Sequence, residues 1–304
     1  MRLTYIDLLK GFTIVWVLWM HMNLPELIFP SVQMPIFFFI SGTFYKIHGD
    51  LWSQIKSDSR KLLVPAVCFG FISWLIISAK VEISGGILNN IVEAEKASII
   101  WFLIALFLFR LLSYPFTIRN KKYGLLLLSA LVYVPGFYLY AKHLDFIVPI
   151  IPLAHMGCFM IYYAIGLCFG KKLLAVVERN EKNTLPVLLI CTYIFLVHII
   201  DWKAGVFHYI PFLVYVFPYT LGVIFILLKI FYKAQRLETI MKPVRYLGEN
   251  SIVFYLTHWP LWMHVFKPLG GDFYVSFIAI VLLEFPLIYI MNKYLPWMIG
   301  RKKK

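Results

Sequence analysis

Long apolar segments alternate with short polar ones along almost the whole chain. A helix needs roughly 20 mostly apolar residues to cross the hydrocarbon core of a bilayer, and ten segments come close to that length. We predict these helices at residues 8–22, 27–45, 62–79, 97–114, 123–140, 146–170, 185–200, 210–231, 246–266 and 273–291. The pattern therefore predicts an all-α fold, a polytopic membrane bundle of about ten transmembrane helices.

The composition excludes a water-soluble globule. Hydrophobic residues make up 61% of the 304 positions and charged residues only 14%, whereas an average soluble domain is roughly 25% charged. No polar stretch is long enough to fold as a second domain. We predict one transmembrane domain over residues 2–292, followed by a basic cytoplasmic tail over residues 293–304.

The distribution of charge predicts the orientation of the bundle. The net charge is +14, and 29 residues are Lys or Arg. If the amino terminus is cytoplasmic, only five of them fall outside, which are Lys80, Lys96, Lys142, Lys203 and Lys267. Because this asymmetry follows the positive-inside rule, we expect both termini in the cytoplasm of a multi-pass protein of the cytoplasmic membrane. The basic surplus then favours anionic membrane lipids or a phosphate-bearing cosubstrate as partners, and not nucleic acid.

Three polar residues share one face of the first predicted helix. Asp7, Lys10 and His21 fall on the same side, and Lys10 and His21 are about 16 Å apart along the axis. Polar groups are expensive in lipid and tend to face a cavity or a partner. Two other interpretations stay open: an ion pair of Asp7 and Lys10 at the membrane boundary, and a packing role for His21.

Five segments in order along the chain carry a family resemblance. They are YIDLLKG at 5–11 followed by His21, MPIFFFISG at 34–42, RKLLVP at 60–65, WFL at 101–103 with Leu106 and Phe107, and YLGENS at 246–251 with Tyr255 and His258. Together these segments resemble the motifs of the acyltransferase 3 family of membrane acyltransferases. The resemblance spans nearly the whole chain, and the ten predicted helices agree with it.

The resemblance implies transfer of an acyl group, usually acetyl, from acetyl-CoA to a hydroxyl of a sugar, glycolipid or other envelope component. Acetyl-CoA would be a cosubstrate, with no cofactor bound. His21 matches the presumed catalytic residue of the family, as a general base or an acyl carrier, and Asp7 belongs to the same motif. Lys10 departs from the family, which often has arginine there. Some members carry an extracytoplasmic hydrolase-like domain that none of these segments matches, so direct acylation and a separate extracytoplasmic transfer protein both stay open.

Three basic residues are candidates for binding acyl-CoA. Lys10, Arg60 and Lys61 lie at the predicted inner face, where the phosphates of a cytosolic nucleotide would arrive. Ordinary positive-inside anchoring explains Arg60 and Lys61 equally well. We expect these residues to support donor binding more than chemistry.

Two residues of later helices are candidates for binding the acceptor. His258 lies about ten residues above Gly248, at a height near that of His21, and Trp101 begins the fourth predicted helix. A packing histidine and an outer aromatic belt are the alternative interpretations. Glu284 is a buried carboxylate whose partner is open between a histidine and backbone freed by Pro286. No tetrahedral metal set or dinucleotide motif is present, so we expect no metal site.

A transporter or flippase of lipid-linked or small sugars is the competing hypothesis. Such proteins commonly show repeats, broken helix pairs and carboxylates at the midplane. Here no repeat is evident, and Glu284 is the one carboxylate at that depth. A structural subunit would leave the shared face of Asp7, Lys10 and His21 unexplained. We therefore favour the enzyme.

Overall fold

The computed structural model describes residues 3–22, 32–78, 100–141, 153–179 and 210–301, and every regular element within them is helical. The α-helices are α1 (Thr4–His21), α2 (Gln33–Thr43), α3 (Leu51–Asp58), α4 (Val64–Ser78), α5 (Trp101–Ile118), α6 (Lys122–Ala141), α7 (Leu153–Glu178), α8 (Ile210–Ala234), α9 (Glu238–Glu249), α10 (Ser251–Leu261) and α11 (Phe273–Tyr294). Two π turns, Ser59–Leu63 and Trp262–Phe266, and two 3₁₀ turns, Lys267–Leu269 and Pro296–Ile299, complete the set.

The helices are those of a membrane protein. Four stretches in the described residues are long and apolar enough to cross a bilayer: α5, α7, Phe217–Ala234 within α8, and α11. Their outward faces carry large apolar side chains, such as Leu282 of α11, which is 62% exposed. An apolar surface of this kind is stable against lipid and not against water. The all-α membrane fold is confirmed.

Most predicted helices coincide with observed ones, with differences at their ends. The predicted helix 185–200 lies outside the described residues. The predicted helix 146–170 continues to Glu178 in α7. Helical structure precedes the predicted helix 62–79, because α3 and the π turn Ser59–Leu63 lead directly into α4. The π turn lies just before Pro65, a residue without an N–H to donate to a regular helix.

The predicted helix 246–266 is wrong as a single element. It is divided at Asn250, whose φ of −117° and ψ of 22° leave the helical region. The side-chain Nδ2 of Asn250 donates to the carbonyl oxygen of Tyr246 at 2.8 Å. A short polar side chain that bonds nearby backbone competes with the helical hydrogen bonds. The amphipathic α9 thus ends where the apolar α10 begins.

Helix α1 lies at the centre of the described bundle, against α2, α8, α9 and α10, while α7 packs along α2 and α6. The final described residue also packs: Arg301 donates to the Asn250 Oδ1 atom at 3.0 Å and to the carbonyl oxygen of Glu249 at 3.2 Å. The bond to Glu249 caps the end of α9, where the last carbonyls have no partner within the helix. The proposed division at residue 292 stays a prediction, since residues 302–304 lie outside the described part.

Candidate active site

Two glycines set how α1 and α9 approach each other. A Cβ atom on Gly248 would overlap the carbonyl oxygen of Asp7 and lie 2.7 Å from the amide nitrogen of Gly11. A Cβ atom on Gly11 would overlap the carbonyl of Val244 in the same way. Small residues at such crossings let helix backbones approach closely. The two backbones therefore touch directly at this level.

Helix α1 also contacts α10, the helix that follows α9, at a point ten residues beyond each glycine. The imidazole rings of His21, at the end of α1, and His258, in α10, stack with centroids 5.5 Å apart and planes inclined by 29°. Each histidine follows its glycine by ten residues, which is about 15 Å of helix. Because both contacts occur at equal spacing, α1 and α10 run in the same direction. We call the region of His21 and His258 the histidine end.

Burial and hydrogen bonding differ between the two histidines. His258 is 0% exposed, and its Nδ1 atom lies 2.8 Å from the carbonyl oxygen of Phe254. Its Nε2 atom has no hydrogen-bond partner among the described residues. His21 is half-buried and also meets the indole of Trp259 edge-on, at 5.0 Å between centroids. The indole Nε1 of Trp259 is likewise buried without a described partner.

An apolar cavity of about 150 Å³ lies between α1, α2, α5 and α10. Its lining residues are Lys10, Ile14, Phe37, Ile40, Ser41, Leu62, Phe102, Leu103, Leu106, Ser251, Ile252 and Tyr255. The ring centroids of Phe102 and Tyr255 lie 5.2 Å apart, and those of Tyr255 and His258 lie 6.0 Å apart. The cavity thus extends from Lys10 to an aromatic wall next to the histidine end.

A basic cavity of about 220 Å³ adjoins the apolar one, with Leu62 and Leu106 as shared walls. Its other lining residues are Phe44, Lys46, His48, Asp58, Lys61 and Arg110. The three cations outnumber the one carboxylate, so the cavity favours an anion. We call the region of Lys10, the neighbouring contact of Gly11 with α9, and this cavity the basic end.

A hydrogen-bonded network holds the wall of the basic cavity. Arg110 of α5 pairs with the buried Asp58 at 2.8 Å and lies over the ring of Tyr45 at 5.1 Å. The other oxygen of Asp58 accepts from the side-chain Nε2 of Gln54 at 2.5 Å, and the side-chain Oε1 of Gln54 accepts from the backbone N–H of His48 at 2.7 Å. The network therefore fixes the segment before α3 against α5.

The comparison with protein families decides the identity. The family model of the acyltransferase 3 domain, described as an acyltransferase domain, matches residues 3–301. This chain belongs to the acyltransferase 3 family. No curated protein and no solved structure matches it. The resemblance drawn from the motifs is confirmed, and the chain is a membrane acyltransferase.

In this acyltransferase, the residues predicted to bind acyl-CoA do not all line the same cavity. Lys10 lines the apolar cavity and pairs with the buried Asp7 at 2.8 Å. Lys61 lines the basic cavity, whereas Arg60 lines neither cavity and its carbonyl packs against Gly300. Asp7 lies about 21 Å from His21 along α1. The structure thus brings Asp7 to Lys10 and not to the histidines.

The predicted acceptor residues also separate. His258 lies against His21, but Trp101 contacts His155 at 4.3 Å, in an aromatic cluster with Phe38 and Phe159. Glu284 is 0% exposed, and its two oxygens lie 2.7 and 2.8 Å from the Thr257 hydroxyl. Among the described residues, its partner is therefore a threonine next to His258 in sequence and not a histidine.

Sequence reasoning missed three residues of the acyltransferase site. Arg110 lines the basic cavity, and it was detectable as a lone charge inside the predicted helix 97–114. Trp259 contacts His21, but nothing in its sequence position separates it from other membrane tryptophans. Tyr255 connects the apolar cavity to His258, and its place in a matching motif was the available signal.

Proposed function

We propose that this acyltransferase moves an acetyl group from acetyl-CoA to a hydroxyl of a sugar, glycolipid or other cell-envelope acceptor. The observation that supports this proposal most is the order in which the two cavities and the histidine pair follow one another inside the bundle. A basic cavity adjoins an apolar cavity, and the wall of the apolar cavity includes Tyr255, whose ring centroid lies 6.0 Å from that of His258. Acetyl-CoA has the same order of parts: an anionic nucleotide, a long thin arm and a terminal thioester.

The basic end would hold the nucleotide. Lys46, Lys61 and Arg110 offer charge-assisted hydrogen bonds to phosphate oxygens, and the pairing of Arg110 with Asp58 keeps its fork in place. The arm would then pass Leu62 and Leu106 into the apolar cavity. Lys10, held by Asp7, lines that cavity and is the cation that the arm's polar groups would meet.

The histidine end would carry out the transfer. His21 would serve as a general base on the acceptor hydroxyl or as the acyl carrier, and His258 and Trp101 would bind the acceptor. No metal or bound cofactor takes part in this proposal, which uses acetyl-CoA as a cosubstrate only. The acceptor is acylated directly or through a separate extracytoplasmic transfer protein.

Turnover of acetyl-CoA tests the function. Purified protein in lipid nanodiscs, supplied with acetyl-CoA and methyl hexopyranosides, should release CoA thiol and form acetylated glycoside. Lysed membranes lacking the protein serve as the blank. Envelope glycans compared by mass spectrometry with and without the gene should differ by acetyl groups. Movement of a labelled sugar across vesicles without CoA release would instead support a transporter.

We also propose ten membrane spans with both termini and the basic end in the cytoplasm, as the positive-inside rule predicts. Single cysteines near the predicted outer positions should react with an impermeant thiol reagent added outside, and those near the predicted inner positions should not. The outer positions are Glu26, Glu93, Asp145, Asp201 and Asp272, and the inner positions are Asp58, Arg119, Arg179 and Arg236. Labelling that fails to alternate would overturn this topology.

A further inference from the structure

We infer that His258, and not His21, is the general base that removes the proton from the acceptor hydroxyl. This inference rests on the proposed acetyl transfer and divides the work between the two histidines. It starts from three observations at the histidine end: the fixed hydrogen bond of one ring nitrogen of His258, the lack of a partner for the other, and the contact with His21.

The hydrogen bond to Phe254 determines which nitrogen of His258 carries the proton. A carbonyl oxygen only accepts hydrogen bonds, so the Nδ1 atom, 2.8 Å away, must be the donor. In a neutral imidazole, the proton on Nδ1 leaves a lone pair on Nε2. His258 therefore presents a proton acceptor whose orientation is set by the backbone of its own helix.

The surroundings of this nitrogen indicate a ligand. His258 is 0% exposed, and a buried polar atom without a partner is unfavourable unless something else satisfies it. At the next residue in the sequence, the buried Nε1–H of Trp259 is a donor without a described partner. Both residues flank His21. A hydroxyl group matches this pair chemically, because it can give a proton to one and accept a hydrogen bond from the other.

The chemical step follows from this arrangement. The acceptor oxygen forms a bond to the acetyl carbonyl carbon as its proton passes to the Nε2 atom of His258. The bond between that carbon and the CoA sulfur then breaks, and the thiolate receives the proton from His258. The products are an acetyl ester and CoA thiol, and the histidine returns to its starting state. In this direct transfer His21 is left to orient the thioester.

Two kinds of nucleophile distinguish a general-base role for His258 from a role in donor binding or folding. Methyl hexopyranosides and water are weak nucleophiles until a base removes their proton, whereas the neutral nitrogen of hydroxylamine attacks a thioester without prior deprotonation. CoA release from acetyl-CoA is measured with each nucleophile for the parent protein, His258→Gln and His258→Asn. The side-chain amide of His258→Asn can still donate to the Phe254 carbonyl oxygen. This variant is therefore included in case His258→Gln does not fold. Acetyl-CoA binding and thermal unfolding are measured alongside.

We expect both variants to lose about 10²- to 10⁴-fold in transfer to the hydroxyl nucleophiles. Transfer to hydroxylamine should stay within a few-fold of the parent, and so should acetyl-CoA binding. Equal losses with both kinds of nucleophile, or near-normal transfer to hydroxyls in His258→Gln, would overturn the assignment. If the parent protein itself releases no CoA with any nucleophile, the proposed function fails and this inference fails with it.

Discussion

Helix α1 meets the α9–α10 segment twice, and the two meetings differ in kind. At the basic end the contact is between backbones, with Gly11 and Gly248 leaving no room for a Cβ atom. At the histidine end the contact is between side chains, with the rings of His21 and His258 5.5 Å apart. The first contact carries no chemistry, and the second carries the groups that can move protons.

The difference indicates that the glycine contact sets the register of the histidine contact. Backbones that touch have one relative height, whereas stacked rings tolerate small shifts. Each histidine lies ten residues beyond its glycine, so a displacement at the glycines is transmitted along about 15 Å of helix to the rings. The break at Asn250 lies between the two contacts, and the hydrogen bonds of Arg301 hold it.

The largest effect should come from changing His21, the catalytic residue proposed for the histidine end. His21→Gln keeps some hydrogen bonding but can neither accept a proton near neutral pH nor carry an acyl group. We expect turnover of acetyl-CoA to fall by about 10²- to 10⁴-fold. In our proposal His258 is the base and His21 acts on the thioester of acetyl-CoA. Turnover should therefore fall with hydroxylamine as well as with hydroxyl nucleophiles.

His155→Ala is the control for His21→Gln, because His155 contacts Trp101 outside the histidine pair. It should leave turnover within about an order of magnitude of the parent value. Thermal unfolding in detergent should change little for His21→Gln, by no more than a lost membrane hydrogen bond of about 1 to 2 kcal/mol. Near-normal turnover in His21→Gln would remove it from catalysis.

Much of this arrangement was predictable from local patterns. Apolar segments predicted the helices, and the position of His258 about ten residues above Gly248 predicted a height near that of His21. The ion pair of Asp58 with Arg110 was not predictable, because the partners are far apart in sequence and only tertiary packing joins them.

Two local features, the helix break at Asn250 and the proton position on His258, were not predictable because each depends on an individual hydrogen bond. The break at Asn250 depends on a side-chain bond that competes with the helix, and an apolar run does not reveal the outcome of that competition. The proton position on His258 depends on its contact with Phe254. Composition and spacing carry no information on such contacts.

The next largest effect should come from Gly248→Ala, which acts on the basic end. The added methyl group would overlap the Asp7 carbonyl, so α1 and α9 must separate. We expect a loss of stability of about 1 to 3 kcal/mol, typical of overpacking, together with reduced turnover. Gly271→Ala is the control, since its methyl group would meet only the Ser276 hydroxyl at 3.6 Å. Parent-like melting and turnover in Gly248→Ala would show that this contact does not set the register.

A smaller effect is expected at the wall between the two regions. Phe102 is 8% exposed, lines the apolar cavity and contacts both Tyr255 and Phe37. Phe102→Leu should lengthen the space for the acyl group and raise the ratio of kcat/KM for butyryl-CoA over acetyl-CoA by roughly tenfold, a typical value for one or two methylenes. Phe109→Leu is the control, because Phe109 is also buried but lines neither cavity. If both variants changed the ratio of kcat/KM for the two donors equally, Phe102 would not be the residue that limits the length of the acyl chain.

The smallest effect should come from Lys61→Gln, which tests whether the basic end acts through its cavity or through its overall charge. Lys61 lines the basic cavity, whereas its exposed neighbour Arg60 does not. An exposed charge contributes up to about 1 kcal/mol, so Lys61→Gln should raise the KM for acetyl-CoA roughly two- to fivefold and leave kcat unchanged. Arg60→Gln should change KM less, and added salt should weaken donor binding in the parent more than in Lys61→Gln. Identical KM values and identical salt dependence in the two variants would mean that the donor senses only the average charge of this face, and the basic cavity would then lose its assignment as the nucleotide site.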